Sequence, residues 1–358
     1  MTTVLAPQPP AATAPTIRAE RVAVSVRDLG KRFLVRRPFI DMLRHPFGRK
    51  YQRALDGVSC DIHEGELFGF LGANGAGKTT LFKILATLIS PDEGKAQVAG
   101  LDVCRDAAAV RRILTPVIAD ERSLRWRLTA RENLRLYAVL YGTPPRHVLQ
   151  RVEEVLRTVG LDPADTKLVG RFSSGMRQRL LIARALIPSP RILLLDEPTR
   201  SLDPVSARQL RDFLRHQICK TLGCTVLLAT HTAEEAFEFC DRVVIMDRGR
   251  PIAIGSTEKL MLQFGEERYR IWTRDPQSRA FAALTEAGLL HSASLVRFDD
   301  EGWGMVDAVI PGGLDSAAEA VRLLVGRGVI ISRFERVGLS LGELIQRVVG
   351  RNGGQERA

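Results

Sequence analysis

The sequence predicts an α/β fold, a parallel sheet covered on both faces, with a small α+β unit behind it. Three observations carry this reading. An apolar run of strand length, Leu67–Leu71, enters a glycine-dense turn and then a helical apolar pattern. A second apolar run, Ile192–Leu195, has no polar side and ends on the adjacent carboxylates Asp196 and Glu197, as expected of a strand buried in mid-sheet. Beyond Gly255 the pattern changes to short alternating runs separated by helical stretches.

The turn after the first strand reads Gly72-x-x-x-x-Gly77-Lys78-Thr79, which fits the phosphate-binding P-loop at every fixed position. Its glycines let successive backbone N–H groups converge on one anion, and the helix behind adds the positive end of its dipole. Lys78 supplies a point charge for the β- and γ-phosphates, and Thr79 offers a hydroxyl to Mg²⁺. The expected nucleotide contacts therefore run through Gly72, Ala73, Asn74, Gly75, Ala76, Gly77, Lys78, Thr79 and Thr80. A glycine-rich turn with no ligand is the plain alternative, disfavoured by the strand before it and the helix after. Neighbours on a strand point opposite ways, so Asp196 and Glu197 should have different tasks. Asp196 would face Mg²⁺, and Glu197 would lie by the γ-phosphate to orient or deprotonate a water. This is a P-loop NTPase core.

Composition narrows the class. With 45% hydrophobic and 26% charged residues over 358, the chain is neither collagenous nor low-complexity. No apolar run approaches the roughly 20 residues of a membrane span. Residues 1–16 are rich in Pro, Ala and Thr and lack a signal-peptide pattern, so a disordered leader is expected. Five cysteines without a Cys-x-x-Cys pair suit reduced thiols. The net charge of +11 comes from a basic set with only 8 lysines against 44 arginines. Such a bias keeps an anionic partner in play without establishing nucleic-acid binding.

Between the two strands stands Phe172-Ser173-Ser174-Gly175-Met176-Arg177-Gln178-Arg179, in which Ser173 is a good helix N-cap. In this position it resembles the signature motif of ABC-type ATPases, and further motifs of that family follow in order. Ser201-Leu202-Asp203 resembles the D-loop, Thr225–His231 the strand with the switch histidine, and Asp241–Met246 the strand that closes the core. The resemblance covers roughly residues 22–256. It implies a head-to-tail homodimer of ATPase subunits that sandwiches ATP with Mg²⁺. Ser173 and Gly175 of one copy would then reach the γ-phosphate held by the other, and Asp203 would sit at the seam. His231 would contact the γ-phosphate of its own copy, making Lys78, Glu197 and His231 the catalytic set. Phe33 holds the place of the aromatic residue that stacks on adenine, with core packing as the alternative. Two positions depart from the family. Ser174 replaces a glycine, and Asp120 stands where the family has its Mg²⁺-sensing glutamine. Asp120 is either a metal ligand beside Thr79 and Asp196 or part of a loop that has lost the contact.

The resemblance assigns residues 17–260 to the ATPase unit. Within it, residues 105–170 read as a helical subdomain that docks a transmembrane partner. Thr129-Ala-Arg-Glu132 is a capping box that opens a helix toward Gly142, and a second helix is expected from about Arg146 to Val159. The run Arg125-Trp126-Arg127-Leu128-Thr129 resembles exporter ATPases, with Trp126 as a candidate grip on the permease. A basic insertion over 34–53 carries Arg36, Arg37, Arg44, Arg49, Lys50 and Arg53 against Asp41. It suits anionic lipid, at about 1 kcal/mol per basic residue near the surface, or a hold on the permease, with a solvated loop on an apolar anchor as the plain alternative. Residues 266–350 form the accessory unit: a strand over Arg268–Thr273, a helix over Ser278–Ala287, a hairpin of Ser294–Phe298 and Gly304–Ile310, a helix over Leu314–Gly326 and a strand over Val329–Phe334. That is βαββαβ, the ferredoxin-like order. A terminal helix is expected over 339–350. The expected function is the ATP-hydrolysing subunit of an ABC exporter, peripheral to the cytoplasmic face of the membrane and driving a separately encoded permease. A soluble ABC ATPase acting on nucleic acid or ribosomes is the alternative. It is disfavoured by a single P-loop and the lack of a heptad array, so no nucleic-acid partner is expected.

Overall fold

The computed structural model describes residues 21–34, 51–118, 123–264, 268–299 and 302–337. The leader, Asp120, positions 35–50 of the basic insertion and the expected terminal helix lie outside the described residues.

The central sheet contains β3 (Leu67–Leu71), β6 (Leu114–Ile118), β7 (Ile192–Asp196), β8 (Thr225–Thr230), β9 (Arg242–Asp247) and β10 (Arg250–Ser256), in the order β10-β9-β3-β8-β7-β6. Strands β9 through β6 run parallel, and β10 turns back antiparallel along β9. Alternation along each strand divides the apolar residues between two cores. Leu67, Leu71, Leu193, Leu195, Val226 and Leu228 join one core with Leu134, Val152 and Leu181 of the helices Ala130–Leu140, Pro145–Thr158 and Ser174–Leu186. Phe68, Phe70, Leu194, Leu227 and Val244 point the other way, into a core shared with Val26, Leu55 and Ala96. Those partners belong to an antiparallel sheet of β1 (Val22–Leu34), β2 (Tyr51–His63), β4 (Glu93–Val98) and β5 (Leu101–Asp102), ordered β2-β1-β4-β5. Each such side chain stabilises the fold by about 1.5–3 kcal/mol on burial, which is why the mid-sheet strands β3 and β8 are buried along their whole length.

Two sequence expectations need correction. Residues 105–170 are not wholly helical, because Leu114–Ile118 forms the edge strand β6 beside β7. Its Pro116 lacks an N–H for a ladder, a lack that an edge position tolerates. The ends of the basic insertion are not loop either: Leu34 pairs with Tyr51 and Arg32 with Arg53 in the β1–β2 ladder. The capping box forms as expected. Thr129 Oγ1 accepts from the Glu132 N–H at 3.3 Å, and Glu132 Oε2 accepts from the Thr129 N–H at 2.8 Å.

Beyond residue 267, β11 (Arg268–Thr273), β12 (Ser292–Phe298), β13 (Gly304–Val309) and β14 (Ile331–Val337) form an antiparallel sheet ordered β12-β13-β11-β14. With the helices Arg279–Glu286 and Gly313–Gly326 this is the ferredoxin-like arrangement, its first strand lying between the third and fourth. It has its own core, including Tyr269, Ile271, Phe281, Leu284 and Leu324. Among the described residues no helix is long and apolar enough to cross a membrane.

Candidate functional site

The P-loop leaves β3 at Leu71 and must be glycine where the backbone turns. A Cβ on Gly72 would lie 2.4 Å from the Met246 carbonyl oxygen. Gly77 has φ +101°, and a Cβ there would lie 2.6 Å from the Ala54 carbonyl oxygen. Lys78 opens the helix Lys78–Leu85 and is buried. Its ammonium donates to the Gly72 carbonyl at 2.6 Å and the Ala73 carbonyl at 3.0 Å, which holds the loop curled. Burial pushes the Lys78 pKa below the ordinary lysine value, while the charges of Glu197 and Asp196 push it back up. The Thr79 hydroxyl donates to Asp196 Oδ2 at 2.8 Å. A hydroxyl and a carboxylate side by side are hard oxygen donors of the kind Mg²⁺ takes together with phosphate oxygens and water.

Asp196 and Glu197 line one cleft and bond different partners, Thr79 and His231, though not through strand alternation. β7 ends at Asp196, and Glu197 turns left-handed with φ +48°. Such a conformation costs a non-glycine residue about 1–3 kcal/mol and must be held by its surroundings. The Glu197 N–H donates to the Ala229 carbonyl of β8 at 2.9 Å. Its Oε1 lies 2.8 Å from His231 Nδ1, and its Oε2 lies 3.5 Å from the Arg200 guanidinium. Sequence reasoning missed Glu235, one acid among several in a short helix. It is buried and accepts hydrogen bonds from Thr199, on the turn after Glu197, and from Thr230, the last residue of β8 directly before His231.

A cleft of about 1020 Å³ brings together Phe33, Asn74, Gly75, Gly77, Lys78, Thr79, Thr80, Asp196 and Glu197. Ala76 is buried behind the loop, its carbonyl accepting from the Gly249 N–H at 3.1 Å. Phe33 lies at the far end of the cleft, 42% exposed and opposite Gln52 in the ladder, with the Lys31 ammonium 5.6 Å from its ring centre. It is not core. Trp126 lines the same cleft and is about half exposed. Ser173, Gly175 and Asp203 do not line it. Ser173 caps its helix by accepting from the Met176 N–H at 3.2 Å, and it lines a second cleft with Gly175 and Ser206. Asp203 caps the helix Pro204–Phe213, accepting from the N–H groups of Val205 at 3.1 Å and Ser206 at 3.0 Å. Bonding from the Ser206 hydroxyl and N–H holds its carboxyl below the usual range.

A strand–loop–helix phosphate cradle, with paired acids at the carboxyl end of β7 one strand beyond β8, defines a P-loop ATPase. Residues 55–200 match the family model described as ABC transporter. The chain is 40% identical over 243 residues to the daunorubicin/doxorubicin resistance ATP-binding protein DrrA of Streptomyces peucetius, covering 68% of this chain and 71% of that one. Among solved structures, cbiO1 from Clostridium perfringens, part of the ABC transporter complex cbiONQ, is similar with a TM-score of 0.59 at 26% identity, over 68% of this chain and 92% of that one. A dimeric post-hydrolysis structure of the ATP-binding cassette MJ0796 with ADP and Pi has a TM-score of 0.54 at 25% identity, over 65% of this chain and 98% of that one. The chain belongs to the ABC transporter family, as an ATP-binding, ATP-hydrolysing subunit of exporter type that energises transport through a separately encoded permease.

Proposed function

We propose that two copies of this chain close head to tail on two ATP molecules, each held by the P-loop of one copy and the Ser173 helix tip of the other. Support comes from the dimeric form of the similar MJ0796 cassette, and from Ser173 and Gly175 lining a second cleft while Ser174 and Gln178 of the same helix line the P-loop cleft of their own chain. Phe33 stacks on the adenine and Lys78 neutralises the β- and γ-phosphates. Thr79 and Asp196 hold Mg²⁺, which supplies further charge neutralisation at the phosphates. Glu197, held by His231, orients a water and takes its proton as that water forms a bond to the γ-phosphorus. The bond from phosphorus to the ADP oxygen breaks, and ADP leaves with its electron pair. Ser173 Oγ and the Gly175 N–H of the second copy add hydrogen bonds to the γ-phosphate, and Asp203 lies at the seam.

The helices Ala130–Leu140 and Pro145–Thr158 expose Leu136, Val139, Leu140 and Leu149, an apolar surface suited to the permease. With that surface on the permease, the chain works at the cytoplasmic face of the membrane, and the basic run 34–53 is suited to anionic headgroups. Export follows the relative named for daunorubicin/doxorubicin resistance. The accessory unit assigned to residues 266–350 serves dimer support or regulation.

The observation that carries this reading is Glu197, aimed by its left-handed backbone and bonded to His231 at the mouth of the phosphate cradle. Changing Glu197 to Gln should keep ATP affinity and lower turnover by roughly 10²- to 10⁴-fold, the range a general base supplies. Undiminished phosphate release would remove Glu197 from the chemistry.

A further inference from the structure

The two loops that carry the proposed base and its partner are tied together by one buried carboxylate that lies outside the nucleotide cleft. Glu235 sits in the first turn of the helix Ala233–Phe239 and is 2% exposed. Its Oε1 accepts from the Thr199 hydroxyl at 2.6 Å and its Oε2 from the Thr230 hydroxyl at 2.5 Å. Thr199 follows Glu197 by two residues, and Thr230 directly precedes His231. Thr230 Oγ1 also accepts from the Thr232 N–H at 3.0 Å, which fixes the hydroxyl from the other side.

The sheet holds Thr230, which pairs with Leu71 of β3, but the ladder between β7 and β8 stops short of His231. Pairing of β7 with β8 ends at Asp196 and Ala229. One further backbone bond, Glu197 N–H to the Ala229 carbonyl, continues it before the chains leave the ladder. Past that point the Glu197–His231 contact of 2.8 Å depends on side chains. A carboxylate presents only acceptors, so it can take a hydroxyl proton on each oxygen at once, one from each loop. Leaving the buried Thr230 hydroxyl unpaired costs about 1–3 kcal/mol, enough to favour one loop spacing over its neighbours; Thr199 is half-buried.

We infer that Glu235 is a positioning residue, which sets the distance between the Glu197 and His231 loops and so aims the base at the attacking water. This rests on the assignment of Glu197 as that base. A displacement of about 1 Å in such a group can cost about 100-fold in rate.

The test uses the full chain and single-turnover hydrolysis of γ-labelled ATP, with ATP affinity and melting temperature measured alongside. Glu235→Ala should lower the hydrolysis rate roughly 10- to 100-fold while ATP affinity stays within about threefold. Glu235→Gln, which keeps one acceptor and offers its amide to the other hydroxyl oxygen, should recover most of that loss. In a Glu197→Gln background, Glu235→Ala should cause little further loss, because positioning acts through Glu197. A Glu235→Ala chain with the wild-type rate overturns the inference. So does an equal loss in both backgrounds, or a fall in affinity and rate together that Gln does not restore, since those mark a general brace. If Glu235→Ala does not fold, Thr199→Val with Thr230→Val is read in its place by the same criteria. A Glu197→Gln chain that hydrolyses ATP normally instead removes the base assignment, a result separable from every outcome at Glu235.

Discussion

The ATPase region and the ferredoxin-like unit are built from the same apolar alternation, yet they differ in what they bury. Among the described residues, eight buried polar or charged side chains, including Glu66, Lys78, Gln178 and Glu235, lie in the ATPase region, and one, Thr273, lies in the ferredoxin-like unit. A buried polar group destabilises a fold unless it is bonded, and a buried charge does so more strongly. The ATPase region holds such groups at its P-loop and along the switch strand. The ferredoxin-like core is almost wholly apolar and has no comparable cluster among the described residues. Chemistry therefore belongs to the first region and packing to the second.

The contrast can be broken from either side. Lys78→Met should remove the ATP-induced rise in melting temperature, which for the wild type at 100-fold over Kd corresponds to about 2.7 kcal/mol. A variant that still shifts with ATP would dissociate the buried lysine from nucleotide binding. Leu284→Ala, at 0% exposure in the ferredoxin-like core, should destabilise that unit by about 2–5 kcal/mol in urea titrations. ATP affinity of the folded chain should be unchanged, and a parallel loss of affinity would mean the two regions are not functionally distinct. The smallest effect is a pH dependence without nucleotide. The Lys78 pKa is lowered on folding, so the folded chain binds fewer protons than the unfolded chain between the depressed and ordinary lysine values. The cost of the buried ammonium is present in full below that window and is relieved as pH rises through it. Wild-type stability relative to Lys78→Met should therefore improve from neutral pH toward the ordinary lysine value. A flat difference would deny the buried charge.

What the sequence displayed was whatever a contiguous segment determines. The P-loop is one such segment, because strand, glycines and helix follow one another. The βαββαβ unit is another case: Arg268–Thr273 alternates plainly, and the order of its strands and helices allows few folds. The sheet of β1, β2 and β4 was not legible, since its strands alternate weakly and β1 carries register shifts against both neighbours. Edge strand β6 was hidden by Pro116 within a stretch of helical pattern. The backbone of Glu197 is set by its bond to Ala229 on another strand, and the role of Glu235 by two hydroxyls more than four residues away in sequence. Neither leaves a local trace. His231 was placed through the resemblance, and its bond to Glu197 emerged only from the geometry.

The central claim is that nucleotide is clamped between two copies. Sedimentation velocity of the Glu197→Gln chain with saturating ATP and Mg²⁺ tests it most directly. The account predicts a dimer holding two ATP molecules, returned to monomer when Ser173→Arg is added to crowd the facing cleft. A Glu197→Gln chain that binds ATP and still sediments as a monomer would contradict it.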